Sequence, residues 1–105
     1  METPKKVTWS ANALLMVSEL FDYLTETTTE YFADGYIDEL LEFGESLAYK
    51  SEHYSYCRNI RLQKKQYRCA LFKRKHILIY GTTAAEVLIL AVIHASRNPT
   101  DYENF

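Results

Sequence analysis

The residues best suited to chemistry gather near the carboxy-terminal end of the chain. His94, Ser96, Arg97 and Asn98 follow directly on seven consecutive apolar residues, Val87 to Ile93, within the stretch "RCALFKRKHILIYGTTAAEVLILAVIHASRNP", residues 68–99. Arg68, His76 and Tyr80 lie upstream in the same stretch, and Tyr102 lies just beyond it. A metal-free ribonuclease needs a general base and a general acid beside the cleaved phosphate, with cations to stabilise the charge that develops there. All of these residue types are present, but spacing alone does not unite them. Two plainer roles stay open: His94 closing the edge of a core through a backbone carbonyl, and Arg97 as a solvated surface charge.

Several other chemistries are disfavoured. His53, His76 and His94 are widely spaced and form no metal-ligand cluster, so neither a metal nor another cofactor is expected. The three glycines, at 35, 44 and 81, cannot build a phosphate-cradling loop, and no GxSxG elbow occurs. Cys57 and Cys69 form no CxxC, and no apolar leader precedes them, so the expectation is a reduced, cytoplasmic protein. The seven-residue apolar run is far short of the roughly 20 residues that span a bilayer, so no membrane association is expected.

Charge is unevenly distributed. The net charge of −2 divides into two basic and ten acidic side chains over residues 1–49, and ten basic and four acidic over 50–105. Arg58, Arg61, Lys64, Lys65, Arg68, Lys73, Arg74 and Lys75 are interleaved with Tyr54, Tyr56, Tyr67 and Tyr80. Such a series suits a nucleic-acid backbone with base stacking, or an acidic protein surface, or a solvated face matched internally by the acidic half.

The elements that must position these side chains are legible as periodicity. With 105 residues, 48% of them apolar, the chain is expected to fold as one domain over 1–105. "KKVTWS" (5–10) reads as a first strand, with Ser10 as the cap of a helix over about 11–26 that carries Leu14, Val17, Phe21 and Leu24 on one stripe. Thr27 and Glu30 have capping-box spacing for a second helix near 28–48, weakened at Gly35 and Gly44. Residues 49–57 read as a loop and "RNIRL" (58–62) as a possible strand. Tyr67 to Phe72, His76 to Thr82 and Val87 to Ile93 read as three strands separated by "KRK" and "GTTAAE". The expected class is α+β: an amino-terminal strand, a helical hairpin, then a three-stranded antiparallel meander, with the helices packed on one face of the sheet. A strand that is apolar on both faces is central, and a central strand holds the side chains at its end rigidly.

Arg68, "HILIY" (76–80) and "VLILAVIHASRNP" (87–99) together resemble the ParE/RelE superfamily, the toxins of bacterial type II toxin–antitoxin modules. The ending, an arginine followed by His, an aliphatic pair, an aromatic and a strand closing in Val-Ile-His, is more similar to the ParE branch. That resemblance implies a toxin that inhibits DNA gyrase and arrests growth, as in plasmid stabilisation, and that is neutralised by a cognate antitoxin in a hetero-oligomer. Target contacts would then be Arg61, Arg68, His76, Tyr80, His94 and Arg97, with no catalysis. The RelE branch implies instead a ribosome-dependent endoribonuclease that cleaves messenger RNA without a metal, using His94, Arg97, Arg68 and Tyr102. Ala70 and Ile77 stand where that branch carries further cations, whereas Ser96 and Arg97 stand where many ParE-like proteins carry a small residue and Met. The acidic balance, with a pI near 5.9, favours a protein target over RNA.

Overall fold

The computed structural model describes residues 3–96, so Arg97 and Tyr102 lie outside the described residues. Lys6–Trp9 form β1, and Ser10 caps α1 (Ala11–Thr27) in an extended conformation, its Oγ accepting from the Ala13 N–H at 3.0 Å. Ala13 and Val17 are buried on the inward stripe of α1, with Leu20, Phe21 and Leu24 packed beside them. The second helix, α2 (Glu30–Glu45), starts later than the Thr27–Glu30 spacing suggests. Its cap is Thr29, whose Oγ1 accepts from the Phe32 N–H at 3.1 Å. Thr27 and Thr28 instead donate back to the Tyr23 and Leu24 carbonyls and finish α1. Three successive threonines can each cap, so the choice among them falls to packing.

At the far end of α2, Ser46 separates it from the single turn α3 (Leu47–Lys50). Gly44 is there for close approach: a Cβ on it would lie 2.3 Å from Trp9 Cζ2, so the ring of β1 rests on bare helix backbone. Trp9 is fixed further by its indole N–H donating to Glu45 at 3.2 Å.

The segment "RNIRL" is helical rather than extended. Asn59 Oδ1 accepts from the Arg61 and Leu62 amides at 2.9 and 3.3 Å, which starts α4 (Ile60–Lys64) and buries Leu62. The cysteines, expected to be reduced, are joined as a Cys57–Cys69 disulfide with a Cα–Cα distance of 5.0 Å. Sequence spacing gave no sign of this pairing because the turn through α4, not proximity in the chain, brings the two together.

The meander then runs β2 (Arg68–Phe72), β3 (His76–Thr82) and β4 (Glu86–His94). The sheet order is β1-β4-β3-β2, with the two hairpins antiparallel and β1 parallel to β4, so the sheet is mixed. One core lies between the hairpin and the sheet, around Leu40, Leu47, Leu78, Tyr80 and Ile89. A second lies on the opposite face, where Cys57 and Leu62 cover Ile79, Ala91 and Ile93. Each large aliphatic side chain so buried contributes roughly 1.5–3 kcal/mol.

The seven-residue apolar run of β4 is not a simple alternation. Ile79 pairs with Ala91 and Tyr80 with Ile89, leaving Leu90 as the extra residue of a β-bulge. Val87 and Ile89 face the helices before it; Ala91 and Ile93 face the opposite side after it, and Val92 returns to the helices. The Leu90 carbonyl accepts from Ser10 Oγ and Asn12 Nδ2, both at 3.2 Å, so the start of α1 clamps the bulge.

The β2–β3 turn is strained. Lys73 and Arg74 sit at φ 49° and 60°, and the Lys75 N–H donates to the Phe72 carbonyl at 3.0 Å, the pattern of a type I′ turn without its usual Asn-Gly.

Urea denaturation is expected to show Gly44→Ala losing at least about 1–3 kcal/mol through overpacking against Trp9. Gly35→Ala, where a Cβ meets nothing within 4 Å, should instead gain up to about 1 kcal/mol of helix propensity. Arg74→Gly should also stabilise, by about 1 kcal/mol, through relief of the left-handed backbone.

Candidate functional site

The residues singled out in the sequence divide into two groups at opposite ends of the sheet. At one end, Phe72, His76 and His94 stand abreast across three strands, His76 opposite both. The His76 and His94 rings meet edge-on with centroids 5.3 Å apart. Tyr36 comes down from α2 onto this row, its hydroxyl 2.6 Å from His76 Nδ1 and its ring edge-on to Phe72. Nothing in the sequence pointed to Tyr36 except its place on the buried stripe of α2 with Ala33, Ile37 and Leu40.

The two histidines have different chemistry. His76 is only 7% exposed, and burial, then the neighbouring His94 and Lys75, lowers its pKa from 6.5 to about 4. It is therefore neutral at physiological pH. Burial, then Glu39, raises the Tyr36 phenol above its usual value, so that partner keeps its proton. His94 is exposed, and its Nδ1 accepts the Ser96 backbone N–H at 3.1 Å and lies 2.7 Å from Ser96 Oγ. Neutral His94 thus carries its proton on Nε2. Beside them an open groove of about 470 Å³ runs between α1 and the end of β4, floored by Met16, Leu20, Tyr23 and Val92 and edged by Glu19 and His94.

At the other end, Arg68 pairs across the strands with Tyr80. Its Nη1 donates to the Tyr54 carbonyl at 2.5 Å, and its guanidinium lies 4.3 Å from the centre of the Tyr56 ring. Arg68 Nε is buried without an acceptor among the described residues. Tyr80 is fully buried, with its hydroxyl donating to the Ser51 carbonyl at 2.5 Å; burial raises its pKa, and Arg68 only partly offsets that. Arg68 and Tyr80 thus hold the loop of residues 51–56 against the sheet. Arg61 lies on α4, over the face opposite the hairpin.

Tyr80 lies four positions beyond His76 on β3, about 13 Å along the strand. Arg68 and His94 are therefore too far apart to act together on one phosphate. Among the described residues no three His, Cys, Asp or Glu side chains come together in a way that could hold a metal ion, and no helix is long and apolar enough to cross a membrane.

A helical hairpin on a four-stranded mixed sheet, with a histidine pair at one end of the sheet and a tyrosine-braced arginine at the other, makes a small open-faced α+β fold. The sequence model described as "ParE toxin of type II toxin-antitoxin system, parDE" matches residues 7–99, and the chain belongs to that family. A solved structure described as "Chromosomal ParDE TA system from P. aeruginosa" shares the fold with a TM-score of 0.72 at 12% identity, over 88% of this chain and 97% of that one. No curated protein matches the sequence.

The depressed His76 pKa gives a pH dependence of defined sign. Between about pH 6.5 and pH 4 the unfolded chain takes up a proton at this residue that the folded chain does not. The His76 contribution, on the order of 3 kcal/mol, is thus fully present above about pH 6.5 and is lost as pH falls toward 4. Denaturation midpoints measured across pH 7.5–5, above most carboxylate titration, should fall for the wild type and stay flatter for His76→Gln.

Proposed function

We propose that the chain acts as a toxin in the cytoplasm by binding DNA gyrase, that it performs no catalysis of its own, and that a cognate antitoxin neutralises it. The observation that carries this reading is the separation of Arg68 from His94 by the length of the sheet, with Arg68 already engaged by Tyr54 and Tyr56. A phosphate-cleaving constellation would need these groups together. A protein target has no such requirement, because it meets a broad surface whose residues are held in place by the sheet. His94 and Arg61 are exposed and suit direct contact; buried Tyr80 and His76 act through the residues they hold.

The antitoxin, in this reading, lays the apolar face of an amphipathic helix in the groove of Met16, Leu20, Tyr23 and Val92 and sets carboxylates toward the basic strands. The match to the parDE family, whose members are toxins of toxin–antitoxin systems, supports such a partner. A second reading, ribosome-dependent cleavage of messenger RNA, draws its support from Arg97 and Tyr102 in the sequence, both outside the described residues.

Gyrase supercoiling, titrated with the purified protein, should stall with accumulation of cleaved DNA that added antitoxin reverses. Arg61→Ala and His94→Ala should each weaken the inhibition about tenfold or more in protein that remains folded. Supercoiling unaffected by folded protein would overturn the reading. Message cleaved on ribosomes, and abolished by Arg97→Ala, would establish the second one.

A further inference from the structure

Neither activity uses the Cys57–Cys69 disulfide, yet it sits at the base of the most basic part of the chain. The segment it closes contains Arg58, Arg61, Lys64, Lys65 and Arg68. Helix α4 has five residues, far fewer than a helix needs to persist unaided, and Leu62 is its buried residue. Cys57 itself is 1% exposed and shares with Leu62 the work of covering Ile79, Ala91 and Ile93. Around the sulfurs the chain is joined by short backbone bonds, from the Cys57 N–H to the Tyr67 carbonyl at 2.9 Å and from the Cys69 N–H to the Ser55 carbonyl at 3.2 Å. At Gln66 the backbone turns through φ 61°, an unfavourable conformation that the two ends of the loop must hold.

We propose that Cys57–Cys69 is a site of thiol–disulfide exchange that sets the order of segment 57–69. In the oxidised protein the basic segment is pinned over the sheet. In the reduced protein it loosens, and the apolar surface of Ile79, Ala91 and Ile93 becomes reachable. Cys69 is the partly exposed member of the pair, so an incoming small-molecule thiolate attacks its Sγ. The S–S bond breaks, the electron pair leaves on Cys57 Sγ, and that sulfur takes up a proton. A second thiol then attacks the external sulfur of the mixed disulfide, releasing Cys69 as a thiol and leaving the two small thiols joined as a disulfide. The reverse sequence, driven by a small-molecule disulfide that accepts the two electrons, closes the clasp again.

The test equilibrates the whole protein in glutathione buffers of graded ratio, counts free thiols by alkylation and mass, and measures amide hydrogen exchange at each ratio. Reduction should speed exchange at Leu62 and Tyr67 at least tenfold while α1, α2 and β3 amides keep their protection. The Cys57→Ser/Cys69→Ser double variant should match the reduced wild type. Unchanged protection at Leu62 and Tyr67 after complete reduction would overturn the proposal. So would loss of protection throughout the molecule, which would make the bond merely structural, or free thiols at every ratio. These outcomes do not depend on whether gyrase is the target.

Discussion

The bulge at Leu90 is the constraint on which the arrangement of this protein turns. Strand β4 is flanked by β1 and β3, covered by the helices on one face and, beyond the bulge, by Cys57 and Leu62 on the other, so its side chains must suit the face onto which they fall. Without an extra residue, the alternation that sends Val87 and Ile89 toward the helices would send Val92 and His94 away from them. The bulge reverses the alternation within one strand. His94 then stands beside His76 on the face where Tyr36 arrives. The orphaned Leu90 carbonyl, which would be costly to leave unpaired, is taken up by Ser10 and Asn12 at the start of α1. Ser10 both caps the helix and holds the bulge, so the position of α1 and the register of β4 are set together.

Around that central strand the polar groups are organised by burial. His76 and Tyr36 satisfy each other in the core, and burial keeps both uncharged, one by lowering its pKa and the other by raising it. Arg68 donates from Nη1 to the Tyr54 carbonyl and lays its guanidinium over the Tyr56 ring, while its buried Nε has no acceptor among the described residues. His94 at the strand's end and Arg61 on α4 stay exposed on this frame. This division between buried support and exposed contact suits a protein that acts by binding a large partner. The strained Lys73–Arg74 turn fits the same pattern, since it presents two cations at a cost in backbone energy that a Gly would avoid. Glu39 of α2 meets Lys73 there, a point at which the acidic helices and the basic sheet neutralise each other.

What the sequence by itself determined was the order and kind of most elements. The stripe of Leu14, Val17, Phe21 and Leu24, of which only Leu14 turns out to be exposed, the β-branched runs and the basic turn "KRK" each declare a local period or a local backbone preference, and the strands end within a residue or two of where those patterns end. The family resemblance was legible for the same reason, because it rests on an ordered string of such elements ending in Val-Ile-His. Only the tertiary structure decided the rest. Which threonine caps α2, whether "RNIRL" becomes a helix, and whether Cys57 meets Cys69 all depend on what lies across from those residues in space. The parallel pairing of β1 with β4, the clamp of Ser10 on the Leu90 bulge and the partnership of Tyr36 with His76 join residues 40 to 80 positions apart. Local periodicity carries no information over such distances; packing and the need to satisfy each buried polar group do.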